Sequence, residues 1–140
     1  MEKIDFNGSK VYLNNFIPFK GFVAMSLFGM IFWRKDEEYR IKRNDYRYYA
    51  SCVVNHENIH REQIKDLGII FWFLEPLQII FGSLLFYPLY LLNWLINLFI
   101  HPKKAYKKIW FEKEAYTNEC DLNYLKNRKH FAFLSQKKGK

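Results

Sequence analysis

From Leu77 to Ile100 this chain runs for 24 residues without a formal charge. In a chain of 140 residues, that run constrains where everything else can lie. It is long enough to cross a bilayer. It belongs to a longer apolar region, residues 69–100, IIFWFLEPLQIIFGSLLFYPLYLLNWLINLFI. Gln78, Asn93 and Asn97 dilute the region, and Pro76 and Pro88 are expected to break or kink a helix there. Behind it comes HPKKAYKK, 101–108, a basic cluster of the kind that rests on anionic headgroups. Aromatic residues make up 20% of the chain, and Tyr and Trp favour membrane–water interfaces. The plainer alternative is a buried core helix with solvated basic ends; membrane association is the expectation.

Ahead of the apolar region lies VVNHENIHREQ, 53–63. Asn44 or Asp45 can cap a helix reaching to about Leu67, with Gly68 as its weak point. On that helix His56 and His60 are four residues apart and project from one face. Their nitrogens can take two corners of a zinc tetrahedron. Glu57 then lies beside the metal, where a carboxylate can act as general base on an activated water. A third ligand is required. Continuation as HExxHxxGxxH fails, because Gln63 and Asp66 stand at the matching positions. A later helix, 105–127, carries FEKEAYTNE, 111–119. Glu112 has a small partner, Ala115, one turn on. Glu114 is the alternative ligand, with Thr117 as its small partner and Asn118 as a neighbouring hydrogen-bond donor.

HENIH followed by EKEA resembles the gluzincin-type zinc metallopeptidases. It is most similar to the membrane-embedded CAAX-type and heat-shock metalloproteases, and to small uncharacterised bacterial proteins that pair a GF…LFG…F strand with an F-E-x-E-A-Y-x-N-E element. Here those elements read GFVAMSLFGMIF, 21–32, and FEKEAYTNE. The resemblance covers roughly residues 18 to 126. It implies zinc (Zn2+) at His56, His60 and Glu112, Glu57 as the catalytic base, and a zincin-like minimal core. Tyr116 stands where many gluzincins carry Asp. Tyr116, with Asn118, is a candidate to support a ligand or an oxyanion; Tyr124 and His130 are further oxyanion candidates.

The expected fold is mainly α with a small N-terminal β-hairpin, in one domain. Residues 1–20 read as an irregular or weakly extended lead-in with Gly8 and Pro18 as breakers. Within 1–43, a buried strand in 21–33, the charged turn 34–38 and YRIKR, 39–43, form the hairpin. The active-site helix is 44–67, the apolar hairpin 69–100, the third-ligand helix 105–127 and a basic, fraying tail 128–140. The apolar region has to double back, because one straight span would put His60 and Glu112 on opposite sides. Its tip is expected within 82–88.

Composition narrows the partners. The net charge is +8, with 22 Lys and Arg against 14 Asp and Glu. The basic residues hug the apolar segment and no stacking motif or recognition helix is legible, so nucleic acid is not an expected partner. Cys52 and Cys120 are far apart and read as two reduced thiols. MEKIDFNGSKVYLNN lacks the apolar core of a cleaved signal. The expected function is zinc-dependent hydrolysis of peptide bonds in a peptide or protein substrate, at a lipid bilayer. The positive-inside tendency places the site on the cytoplasmic face of the inner membrane. The alternative is a non-enzymatic membrane protein with a structural or degenerate zinc site. Oligomeric state is not legible.

Overall fold

The computed structural model describes residues 1–136. Among these, four strands precede the long helices: β1 (Glu2–Phe6), β2 (Ser9–Asn14), β3 (Ala24–Leu27) and β4 (Met30–Arg34). They form one mixed sheet in the order β1-β2-β4-β3. β1 and β3 are antiparallel to their neighbours, and β2 runs parallel to β4. The 1–20 lead-in is therefore a hairpin. Asn7 and Gly8 both have positive φ, 50° and 84°, as a two-residue turn between twisted strands requires. Phe28 and Gly29, at 50° and 77°, make the same turn between β3 and β4.

That second turn corrects the expected hairpin. The chain reverses at 28–29, not at the charged run, and YRIKR forms a short helix, α1 (Tyr39–Lys42). The reason is packing: the 30–34 half of the apolar run alternates, so Ile31 and Trp33 point into the core beside Val11 and Leu13. Ala50 and Val54 of α2 (Arg47–Leu67) cover that face.

α3 is a single helix, Glu75–Ile100, of 26 residues. No hairpin tip exists at 82–88. Pro76 falls in the first turn, where a missing N–H is harmless. Pro88 lies inside the helix and removes one rung of it. The reversal comes afterwards. Residues 101–109 fold back along α3, so that the Trp110 amide donates to Asn93 Oδ1 at 2.7 Å. α4 (Trp110–Asn118) then packs level with the middle of α3 rather than beyond its end. The topological conflict dissolves because His60 and Glu112 both lie level with the middle of α3, at Phe86 and Tyr90.

α2 and α3 cross at glycine. A Cβ on Gly82 would collide with the Ile64 carbonyl, and one on Gly68 with the Gln78 carbonyl. Past the crossing, Ile64, Phe86, Ile109, Phe111 and Phe133 make a second core. The expected 105–127 helix is broken: α4 ends at Asn118 and a short α5 spans Tyr124–Asn127. The tail is held down as far as Gln136, with Phe133 buried and Arg128 in an internal ion pair. Its last residues, 137–140, lie outside the described residues. The chain is thus mainly helical with an N-terminal β part, but without the helical hairpin it is not the expected zincin-like core.

Candidate metal centre

His56 and His60 lie on α2 facing α4, which carries Glu112. The Nε2 atoms of the two imidazoles are 3.2 Å apart. Glu112 Oε2 is 3.1 Å from His56 Nε2, and Oε1 is 3.3 Å from His60 Nε2. A divalent ion held ~2.0–2.1 Å from tetrahedral donors separates them by ~3.3 Å. All three residues are buried. This cluster could bind a metal ion.

The remaining ring nitrogens fix the tautomers. Gln63 Nε2 donates to the Phe111 carbonyl at 2.9 Å and to Glu114 Oε2 at 2.7 Å. Its Oε1 must then be what faces His60 Nδ1 at 2.8 Å, and it can only accept. Glu119 Oε2 likewise accepts from His56 Nδ1 at 2.8 Å. Each neutral ring therefore presents a bare Nε2. Two lone pairs and a carboxylate converge on one point and repel unless a cation, metal or proton, joins them.

Other residues hold this geometry. Tyr90 of α3 donates to Glu112 Oε1 at 2.8 Å. The Asn55 amide, one residue before His56, donates to the carbonyls of Asn118, Glu119 and Asp121. Cys52, one turn earlier on α2, is disulfide-bonded to Cys120, the residue after Glu119. The two cysteines are thus not free thiols. Helix spacing puts Cys52, Asn55 and His56 on one stripe, and the chain after α4 folds along it.

Electrostatics follow from burial and neighbours. In the metal-free cluster, burial works against a charge on His56, but Glu112 and Glu119 outweigh it and raise its pKa to about 10. Burial opposes a charge on His60 too, and Glu112 again raises it. Burial alone would raise Glu112; the imidazoles overrule it and hold it below the usual carboxylate range. Burial pushes Glu57 up, which suits a proton acceptor, though His56 and His60 moderate the shift.

Glu57, His60 and Glu112 open onto a cavity of about 360 Å³. Its walls come from the 15–23 loop, from β3 and from Phe86–Trp94 of α3, with Tyr106 beside them. Ser26 of β3 also lines it, and the buried Ser26 hydroxyl has no hydrogen-bond partner among the described residues.

Glu114 is fully buried and accepts from Arg128 Nε at 2.6 Å and Tyr124 at 2.9 Å. It is not brought into the cluster. Asn118 donates to the Glu114 carbonyl and to Gln136, away from the metal donors. The Tyr116 ring stands edge-on to His56, centroids 4.7 Å apart. Tyr124 is spent on Glu114, and His130 on Asp66 at 2.9 Å. Sequence reasoning missed Gln63, Glu119, Tyr90 and Tyr106. Gln63 carried a usable signal: it lies three residues after His60, on the same helix face. No protein family, curated protein or solved structure matches this chain.

Proposed function

We propose that this chain is a membrane-associated, zinc-dependent peptidase of gluzincin type. One observation carries the reading: two imidazoles held in the metal-binding tautomer meet a carboxylate at tetrahedral spacing, and Glu57 shares a cavity with His60 and Glu112. The imidazole–carboxylate donor set suits zinc. His56, His60 and Glu112 would hold the ion, which supplies Lewis acidity toward water and a peptide carbonyl. Glu57 accepts the proton of the attacking water and returns it to the leaving amine. An extended peptide would approach β3, an edge strand. Tyr87 already takes the Phe28 amide and the Ser26 carbonyl, so pairing is left to the Ala24 end of the strand. The unpartnered Ser26 hydroxyl is available to a substrate there.

Membrane association rests on α3. At 1.5 Å per residue its 26 residues reach ~39 Å, beyond the ~30 Å of a hydrocarbon core. Leu77, Ile80, Leu84, Leu91, Leu95 and Leu98 form an exposed apolar stripe along its length. The basic 101–108 flank favours the cytoplasmic side. The Cys52–Cys120 bond pulls the other way, because disulfides persist in oxidising compartments.

The test is metal content. Protein purified in detergent without added metal should contain near-stoichiometric zinc, lost in His60→Ala and in Glu112→Ala. Glu57→Gln should keep the zinc and lose peptide cleavage. A folded protein that carries no metal, and takes up none from micromolar zinc, would overturn the reading. Function that survives Glu57→Gln would leave a structural zinc site in a non-enzymatic membrane protein.

A further inference from the structure

The loop between β2 and β3, residues 15–23, reads NFIPFKGFV. Phe16 is 84% exposed and Phe19 79%, and Phe22 is exposed as well. Connecting loops ordinarily turn polar groups outward. This one turns three phenyl rings outward and is built to do so. Asn14 Oδ1 accepts from the amides of Phe16 and Ile17 at 2.8 and 2.6 Å, and Arg34 donates to the Pro18 carbonyl at 2.8 Å. The backbone is tied down while the rings are left without partners.

Position gives the loop its meaning. Pro18, Phe19 and Phe22 line the cavity opposite Leu91 and Trp94 of α3. Beyond Tyr90 one side of the helix carries the returning 101–109 segment at Asn93, while Leu91, Leu92, Leu95, Ile96, Phe99 and Ile100 are exposed. Two segments far apart in sequence thus place bare apolar side chains around one cavity mouth. Cations accompany both. Lys20 is the only charged residue in the loop, and the 101–108 segment holds four exposed lysines and no acid. Apolar projections edged by exposed lysines complement a bilayer with anionic headgroups.

We propose that the 15–23 loop is a second membrane-inserting element. With the free half of α3 it seats the cavity mouth on an anionic bilayer, and the site receives a chain segment presented at headgroup level. This rests on the membrane reading of α3.

The experiment places an environment-sensitive NBD label on single added cysteines in the full-length protein, with the native disulfide kept intact. The variants are Phe16→Cys, Phe19→Cys, Leu95→Cys and Lys3→Cys, the last on β1 at the far edge of the sheet. Each is reconstituted into phosphatidylcholine–phosphatidylglycerol vesicles containing nitroxide-labelled lipid. Labels at 16, 19 and 95 should be quenched several-fold more than the label at 3. Quenching at 95 with 16 and 19 as accessible to water as 3 would overturn the proposal while leaving α3 in the membrane, and would make the loop a surface for a protein partner. No quenching at 95 would remove the membrane reading of α3, and the proposal with it.

Discussion

Gln63→Met isolates the claim that His60 is held in one tautomer. Methionine keeps the length of the side chain and removes both its donor and its acceptor. Glu114 loses little, since Arg128 and Tyr124 still serve it. The His60 Nδ1–H loses its only acceptor among the described residues, inside a buried site. Leaving such a donor unpaired costs about 1–3 kcal/mol. Without that acceptor the ring can also take the other tautomer, with its proton on Nε2 aimed at the metal position. Loss of an outer partner of this kind typically weakens metal binding ~10–100-fold, which corresponds to about 1.4–2.7 kcal/mol. Competition against a chromophoric zinc chelator measures the affinity, and thermal unfolding of the metal-free protein measures the stability separately. A variant that folds and binds zinc as tightly as the parent would refute the tautomer argument, whatever its melting temperature.

Three further outcomes are expected. Glu114→Gln should keep near-stoichiometric zinc yet lose about 1.5–3 kcal/mol in urea unfolding, because it breaks one of the two buried pairs of Arg128 and leaves the one to Asp66; loss of zinc from a folded variant would reinstate Glu114 as a ligand. Metal-free His56, raised from 6.5 to about 10 amid Glu112, Glu119, Glu57 and His60, adds stability that is complete below pH 6.5 and lost as pH rises toward 10. Zinc uptake near pH 8 should therefore release at least one proton, read by calorimetry in buffers of different ionisation enthalpy, and buffer-independent heats would contradict it. Cys120→Ala opens a 68-residue loop and should cost about 4 kcal/mol by chain entropy. Reduced parent protein should match the variant in urea unfolding, and an oxidised parent no more stable than Cys120→Ala would show that the bond is not formed.

The parts of the fold legible in the sequence were the ones written in local spacing. His56, Glu57 and His60 follow from one helix period, and the offset to Ala115 makes Glu112 a candidate beside Glu114. The 1–14 hairpin was also legible, since Asn7-Gly8 between alternating segments is a strong turn signal; treating Gly8 as a mere breaker concealed it. The continuity of α3 was not legible. Whether Pro88 breaks a helix depends on what surrounds it, and the returning 101–109 segment is specified by long-range contacts such as Trp110 to Asn93. Glu114 and Glu119 could not be sorted from Glu112 by spacing alone. What separates them is Arg128, fourteen residues beyond Glu114, and the Cys52–Cys120 bond that brings Glu119 back onto His56.

The glycine crossing of α2 and α3 makes the long helix a lever. Its fulcrum is Gly82 against the Ile64 carbonyl, where the two backbones leave no room for a side chain. On one side the arm is short and braced by Gln78 on the Lys65 carbonyl. On the other, Tyr90 stands ~12 Å from the fulcrum and Ile100 ~27 Å. A sideways push on the free tip therefore reaches Tyr90 reduced by a little more than half, and Tyr90 is both a wall of the cavity and the donor to Glu112. If α3 lies in a lipid film, lateral pressure on it would be felt, through that arm, at Glu112.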